Sequence, residues 1–198
     1  MKKNVLISAV LGILVLSVSA ADIKFPAPAK KGGMPLNEAL SKRQTIRQYQ
    51  EKALSEAQMG NLLWAAFGVN RANGKFTAPT AGNRQEIRLF LLTADGAFAY
   101  CPKTHQAKQI TKKDLRSYAG VFKAPCYIVI AADLDKAISK HYAIMDIGYV
   151  SQNIYLAAQA NGLGTCAMGS IVDRDMLIRE LGLGKNIPLL VHPLGFAK

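Results

Sequence analysis

The sequence predicts an α+β fold in which a mixed, mainly antiparallel sheet is flanked by helices around one long, buried central helix. A continuous apolar run at residues 124–132 is typical of a central strand. Asp95 followed by Gly96, between two strand-like runs, indicates a hairpin. Residues 143–161 are apolar on nearly every side of a helix, which predicts that this helix is buried.

The first elements follow from local signals. Residues 21–35 are rich in proline and contain two adjacent glycines, so we expect an extended lead-in rather than a folded element. Residues 36–43 predict a short helix with Leu36, Ala39 and Leu40 on one face.

A capping box predicts where the second helix begins. Ser55 is an N-cap residue, and Gln58 stands three positions later, ahead of an amphipathic run to residue 67. Before the long helix, the remaining predictions are a strand at 86–93, a return strand at 97–100, a loop and an edge strand within 103–113, and a short helix at 112–119. Gly162 and Gly164 are predicted to end the long helix. After it, we predict a strand-like run at 165–172, a short helix from Asp173 to Leu181 and a final strand at 188–196.

The N-terminus has the pattern of a secretory signal peptide. Met1, Lys2 and Lys3 form a basic start, and residues 5–18 are apolar or small. We therefore expect residues 1–20 to be a signal peptide, with cleavage after Ala20 or Ala21 and no stable membrane span in the exported protein. An uncleaved anchor is the alternative, although the apolar run is short for a membrane span of about 20 residues.

The formal net charge of +12 favours anionic partners, namely nucleic acid, an acidic membrane surface or a phosphate-bearing cofactor. Export makes nucleic acid a poor partner. The three cysteines are isolated, and their odd number argues against a closed disulfide framework. Cys126 and Cys166 lie in apolar runs and are predicted core residues, whereas a disulfide from Cys101 stays open.

Several common site types are absent from the sequence. It contains neither a phosphate-binding G-x-x-x-x-G-K-[ST] loop, nor a G-x-G-x-x-G turn that opens a βαβ unit, nor a G-x-S-x-G elbow. His105, His141 and His192 are far apart, so no metal site is predicted, and His141 is interpreted as a surface residue at a helix start.

The 77–85 loop and the 43–47 segment carry the functional signal. In the loop, Pro79 and Gly82 exclude regular structure, and Thr80, Asn83 and Gln85 supply short polar groups. Such a loop can hold a flat heteroaromatic ring, or it is an ordinary polar connection.

The 43–47 segment is basic. Lys42, Arg43 and Arg47 surround Thr45, and Arg43 and Arg47 could share one face of a helical turn. Guanidinium and hydroxyl groups bind phosphate well, although a solvated basic face is the alternative.

These stretches resemble the nitroreductase family of FMN enzymes. Residues 43–47 resemble its R-x-[ST]-x-[RK] signature, and residues 78–85 resemble its A-P-[ST]-x-x-N-x-Q loop. Residues 146–165 are similar to its central helix and the helix exit, and residues 193–198 to its terminal strand. The resemblance spans residues 36–198, and residues 62–68 and 83–87 are most similar to the azoline-oxidase-like (SagB/ThcOx-type) branch.

The resemblance implies a nitroreductase-like fold, an FMN cofactor, a homodimer with sites at the interface, and NAD(P)H as the usual reductant. It implies that Arg43 and Arg47 contact the phosphate, ribityl chain or pyrimidine edge, and that no side chain is needed as a catalytic acid or base. The resemblance also implies FMN contacts from Gln44 and Thr45, and a phosphate contact from Lys198. The flavin ring would be lined by Pro79, Thr80, Ala81 and Asn83 of the partner subunit, in a loop that Gln85 braces. The backbone of Met168, Gly169 and Ser170 would approach the flavin N5.

The sequence departs from the family at Gln44, where a basic residue is frequent, at Glu86, where proline is common, and at its end, Lys198, which omits a C-terminal arm. The resulting interpretation is an exported FMN-dependent oxidoreductase that passes electrons to a small organic acceptor or oxidises a small molecule. The alternatives are a flavin-binding protein without turnover and an exported basic binding module.

Overall fold

The computed structural model describes residues 22–184, 187 and 189–198. The predicted signal peptide lies outside the described residues, and so do Lys185, Asn186 and Pro188. The helices are α1 (Leu36–Lys42), α2 (Glu56–Phe67), α3 (Arg116–Ala119), α4 (Lys140–Ala160) and α5 (Arg174–Glu180), with a 3₁₀ turn at Ala81–Asn83. The strands are β1 (Ile23–Lys24), β2 (Ile87–Thr93), β3 (Gly96–Cys101), β4 (Gln106–Thr111), β5 (Cys126–Ala132), β6 (Gly164–Thr165) and β7 (Leu189–Gly195).

Strand β5 lies inside the sheet, as its apolar run predicts. All seven of its residues are buried, and it pairs antiparallel with β2 and β7. The sheet has the order β1-β4-β3-β2-β5-β7-β6, and each of these described pairings is antiparallel. The predicted α+β class with a mainly antiparallel sheet is confirmed.

The two faces of β5 bury different helices. Cys126, Ile128 and Ile130 belong to a core shared with α2 and α4. Tyr127 and Val129 point to the other side, into a core shared with α3 and α5. Because successive side chains of a strand alternate between faces, one fully apolar strand produces helix layers on both sides of the sheet.

The long helix α4 differs from its prediction. It is buried on one face only, through residues that include Ala143, Val150 and Ile154. On the opposite face Tyr142, Met145 and Tyr149 are exposed. The prediction of burial all round is therefore wrong for the single chain, because α2 and the sheet cover only one side of the helix. The apolar residues of the other side are left without a partner in one subunit.

Two predicted helix starts are confirmed in atomic detail. The Ser55 side chain accepts the Gln58 backbone N–H at 3.2 Å, and the Gln58 side chain accepts the Ser55 N–H at 2.9 Å. The Asp173 carboxylate accepts the Met176 N–H at 2.9 Å, which begins α5. Both contacts satisfy amides that have no partner within their helix.

Two other predicted elements are shorter than expected. The run at 165–172 pairs with β7 only at Gly164–Thr165 and through a single Met168–Val191 bridge. Between these two pairings the Ala167 N–H donates to the Tyr155 hydroxyl, and among the described residues no pairing with β7 follows Met168. The helix predicted at 112–119 forms only at Arg116–Ala119, since the Asp114 side chain accepts the Arg116 N–H and closes a turn before it.

The predicted apolar face of α1 is only partly buried. Ala39 is buried, whereas Leu36 and Leu40 are exposed. The lead-in contributes a two-residue strand, Ile23–Lys24, which pairs with β4, and it buries Phe25. In the described residues no helix combines the length and apolarity needed to cross a membrane.

Candidate functional site

The 43–47 segment leaves α1 as extended chain. Arg43 ends the helix, with φ of −56° and ψ of 122°. The expectation that Arg43 and Arg47 share one face of a helical turn is therefore wrong, because the helix ends before either arginine. Arg43 is half-buried beside α4, whereas Arg47 is exposed near the C-terminus of the chain. Gln44, between them, is exposed.

Close backbone packing fixes this segment against the edge of the sheet. The Ile46 N–H donates to the Thr165 carbonyl oxygen at 2.9 Å. A Cβ on Gly164 would lie 2.6 Å from the Ile46 Cβ, so this approach requires glycine. On the other side, the Lys198 N–H donates to the Gln48 carbonyl oxygen at 3.2 Å. The segment is thus held between β6 and the last residues of the chain.

Tyr155 of α4 joins the segment to the chain that follows β6. Its hydroxyl accepts the Ala167 N–H at 2.9 Å, so its own hydrogen is free to donate to Thr45 Oγ1, 3.2 Å away. The Arg43 guanidinium carbon lies 5.1 Å from the Tyr155 ring centroid, a cation–π contact. Sequence reasoning missed Tyr155, because one tyrosine in an apolar helix gives no signal of its contacts.

A buried polar network of Ser151, His192 and Thr165 packs against the Tyr155 ring through His192. Thr165 Oγ1 donates to the Pro193 carbonyl oxygen at 2.9 Å, so it accepts from the Nδ1–H of His192 at 3.0 Å. The His192 Nε2 then accepts from the Ser151 hydroxyl at 2.9 Å. Burial lowers the pKa of His192 to about 3, and its ring lies edge-on to Tyr155 with centroids 5.4 Å apart. His192 is therefore a neutral structural support rather than a proton donor.

A cationic pocket forms where the segment meets the C-terminus. Arg47, Lys123 and Lys198 line a cavity of about 340 Å³ together with Gln48 and Tyr49. Within the described part of the chain no carboxylate forms an ion pair with these three cations. Lys123 was not predicted, because only the fold brings it beside Arg47. The donor set suits a phosphate group, which guanidinium and ammonium groups bind through charge-assisted hydrogen bonds.

The 77–85 loop adopts the left-handed backbone that Gly82 was expected to permit. Gly82, Asn83 and Gln85 have φ values of 59°, 54° and 54°. The Thr80 hydroxyl accepts the Gln85 N–H at 2.9 Å, and the Gln85 side chain donates to the Gly74 carbonyl oxygen at 3.2 Å. Side-chain contacts therefore hold Gln85 in a conformation that non-glycine residues rarely adopt, and a backbone hydrogen bond from the Asn83 N–H to the Thr80 carbonyl oxygen holds Asn83.

The loop is fixed to the first half of α4. The Ala81 N–H donates to Asp146 Oδ2 at 2.8 Å. Pro79 and Asn83 are exposed, and Thr80 and Ala81 are half-buried. The loop therefore presents an accessible outer surface while its inner side is anchored on a buried carboxylate.

The third predicted group follows β6. Met168 is half-buried and exchanges two backbone hydrogen bonds with Val191, at 2.9 and 3.0 Å. Gly169 and Ser170 are exposed, and nothing lies within 4 Å of a Cβ added to Gly169. The backbone of these two residues is thus open to a ligand.

One subunit does not bring all of these groups together. The loop contacts α4 at Asp146, and the 43–47 segment contacts it at Tyr155. These positions are nine residues apart in the helix, which corresponds to about 13 Å along the axis. The cationic pocket includes no residue of the loop. Within the described residues, no group of three or more His, Cys, Asp or Glu could hold a metal ion.

Comparisons with known proteins indicate the same family over most of the chain. Residues 40–196 match the model of the nitroreductase family. A protein of Methanocaldococcus jannaschii assigned as a nitroreductase is 30% identical over 81% of this chain and 90% of its own length. A crystal structure from Ralstonia eutropha JMP134, also assigned as a nitroreductase, has a TM-score of 0.85 and 28% identity over 99% of this chain and 96% of that chain.

A crystal structure from Desulfovibrio desulfuricans, assigned as a nitroreductase in complex with FMN, has a TM-score of 0.62 and 21% identity, covering 84% of this chain and 88% of that chain. At that identity the likeness concerns the fold. The family match covers most of the chain and agrees with the resemblance in the sequence motifs. The chain belongs to the nitroreductase family of oxidoreductases.

Proposed function

We propose that the protein is an exported, FMN-dependent oxidoreductase of the azoline-oxidase-like branch, which acts as a homodimer. It would pass electrons to a small organic acceptor or oxidise a small molecule. The cationic pocket of Arg47, Lys123 and Lys198 is the observation that carries the FMN proposal. It gathers three cations from distant parts of the sequence, and no carboxylate among the described residues forms an ion pair with them.

The residues of this pocket fit the phosphate end of FMN. Arg47, Lys123 and Lys198 would neutralise the phosphate, and Thr45, held by Tyr155, would add a hydroxyl contact. The chemistry that FMN supplies when bound is electron transfer between a donor and an acceptor. The chain then needs to bind, orient and shield the cofactor, which agrees with His192 being neutral and fully buried.

The homodimer proposal rests on the exposed side of α4. Tyr142, Met145 and Tyr149 are 45%, 45% and 47% exposed and lie at i, i+3 and i+7, so they form one stripe. Leu36 and Leu40 of α1 are also exposed. Contiguous exposed apolar surface often marks a site of protein–protein contact. A second copy of the chain would cover the stripe and bring its own 77–85 loop towards the cationic pocket.

FMN binding is the direct test. Protein purified after export is expected to show the visible absorption bands of flavin, or to gain them when FMN is added to the apoprotein. Anaerobic addition of NADH or NADPH should bleach these bands if a nicotinamide is the donor. Protein that stays colourless after reconstitution would contradict the proposal. Protein that binds FMN and reduces no acceptor with any donor would be a flavin-binding protein without turnover.

Export is tested separately from the cofactor. Expressed with its own N-terminus in a bacterial host, the protein is expected in the periplasmic fraction, with an intact mass that corresponds to cleavage after Ala20 or Ala21. Full-length protein in the membrane fraction would indicate an uncleaved anchor. Full-length protein in the cytoplasmic fraction would contradict export, and neither result would bear on FMN binding.

A further inference from the structure

Two buried carboxyl groups lie directly behind the 77–85 loop. Glu86, which follows the loop, is 1% exposed, and Asp146 of α4 is 3% exposed. Asp146 Oδ2 accepts the Ala81 N–H at 2.8 Å, and the neighbouring Thr80 hydroxyl lies near enough to the Glu86 carboxyl group to lower its pKa. Two acids from different parts of the chain therefore lie against two consecutive residues of the loop.

The hydrogen bonds around this pair require a proton. Glu86 Oε2 is buried and, among the described residues, no donor reaches it. The Glu86 and Asp146 carboxyl groups are within hydrogen-bonding reach of each other. Two charged carboxylates buried side by side would repel, and one oxygen would lack a donor. A proton on Glu86 removes both costs, because its O–H can donate to Asp146 while Asp146 keeps the Ala81 amide.

We propose that Glu86 and Asp146 share one proton and act together as a positioning pair for Thr80 and Ala81. The pairing itself stands on the geometry of the free protein. Its consequence for the cofactor rests on the proposed FMN function, in which this loop lines the flavin ring. Neither acid is assigned a contact with substrate, so both act through the loop.

Other charged groups around Glu86 are engaged elsewhere. The Asp133 N–H donates to the Glu86 carbonyl oxygen at 2.9 Å, but the Asp133 carboxylate lies 3.5 Å from the Lys136 ammonium nitrogen. Arg84 and Arg88, on either side in sequence, are exposed. The other titratable groups in the first half of α4, namely Lys140, His141, Tyr142 and Tyr149, are exposed. Asp146 thus supplies the buried carboxyl group that faces Glu86.

Burial, together with the hydrogen bond and charge of Asp146, raises the pKa of Glu86 from its ordinary 4.5 to about 7. Between these values the folded chain binds more protons than the unfolded chain. The contribution of Glu86 to stability therefore falls as the pH rises from about 4.5 to about 7, and stays low above that.

His192 acts in the opposite direction, because burial lowers its pKa from 6.5 to about 3 and its contribution rises over that range. Burial also lowers the pKa of His105. The pH profile of the unmodified protein is therefore a sum of opposing effects. The difference in stability between a Glu86 variant and the parent, followed as a function of pH, isolates the contribution of the acid pair.

The first test is the melting temperature of Glu86→Gln and of the parent, both free of cofactor, from about pH 5 to about pH 8. The amide keeps the shape of the acid and cannot ionise. We expect the two proteins to have the same melting temperature near pH 5, and the melting temperature of the variant to exceed that of the parent by about 5 °C near pH 8. The matched control is Glu56→Gln, an exposed change in the first turn of α2, for which the difference from the parent should not vary across this range.

A spectroscopic signature separates a shared proton from simple burial. Infrared spectra of the parent near pH 6 should show a protonated carboxyl band that Glu86→Gln removes. Asp146→Asn should shift the pH at which this band disappears. A temperature difference that is constant with pH would overturn the proposal, and so would the absence of the band. If the band disappeared at the same pH in Asp146→Asn as in the parent, Glu86 would be neutral through burial alone. That result would also overturn the proposal of a shared proton.

The effect on the cofactor site is read from FMN titrations. In the parent, the dissociation constant is expected to rise about tenfold from about pH 6 to about pH 8, the change that corresponds to a pKa difference of about one unit between the free and bound forms. Glu86→Gln should show little change. An equal pH dependence in both proteins would contradict the positioning role. If no variant binds FMN, the proposed function fails, whereas the melting and infrared results still decide whether the proton is shared.

Discussion

Replacement of Arg47 with glutamate is expected to weaken FMN binding at least about 100-fold. Arg47 is exposed on the wall of the cationic pocket and forms no ion pair within the described residues, so the change should leave the fold intact. A hydrogen bond to a charged group contributes about 1.5–3 kcal/mol, and each 1.4 kcal/mol corresponds to about tenfold in affinity. The new carboxylate would also repel the phosphate, which adds to the loss.

The measurement is the quenching of flavin fluorescence as protein is added, with the melting temperature recorded for each variant. The matched control is Lys108→Glu, the same reversal of charge at an exposed position on β4. Three strands lie between β4 and β7 in the sheet, so this control changes the net charge without entering the pocket. An equal loss of affinity in both variants would show that overall charge, rather than the pocket, attracts FMN. No loss in Arg47→Glu would place the phosphate elsewhere.

Local patterns in the sequence predicted the elements of this fold well. The capping box at Ser55 and the cap at Asp173 depend on residues three positions apart, so they can be recognised without knowledge of the tertiary structure. The same holds for β5, whose continuous apolar run reflects burial on both faces. The predicted burial of Cys126 and Cys166 is also confirmed, and Cys101 is a free, exposed thiol.

Predictions that needed a spatial neighbour were less successful. An apolar helix surface has the same sequence pattern whether it packs on its own chain or faces solvent, so the exposure of Met145 and Tyr149 could not be foreseen. Lys123 enters the cationic pocket, and Tyr155 meets Thr45, only because the chain folds back on itself. Glu86 was noted as a departure from the family pattern, but its pairing with Asp146 depends on how the loop sits on α4.

The double substitution Met145→Glu with Tyr149→Glu is expected to produce a monomer that has lost FMN binding by at least about 100-fold. Both residues are exposed in the single chain, so the acids can remain in water when the subunit is alone. In a dimer that packs α4 against its copy, four carboxylates would be buried near one another, and burial of unpaired charge costs several kcal/mol. Dissociation is the lower-energy outcome, and light scattering after size-exclusion chromatography measures it.

The loss of FMN is the informative part of this prediction, because neither residue belongs to the proposed cofactor contacts. In one subunit the 77–85 loop and the 43–47 segment contact α4 about 13 Å apart along its axis, and the cationic pocket includes no loop residue, so the proposed site takes its loop from the second copy. The control is Ile110→Glu, an exposed apolar residue on β4, which should leave both the mass and the affinity unchanged. A folded monomer with unchanged FMN affinity would show that one subunit completes the site alone, and the loop would then have no role at the partner's flavin.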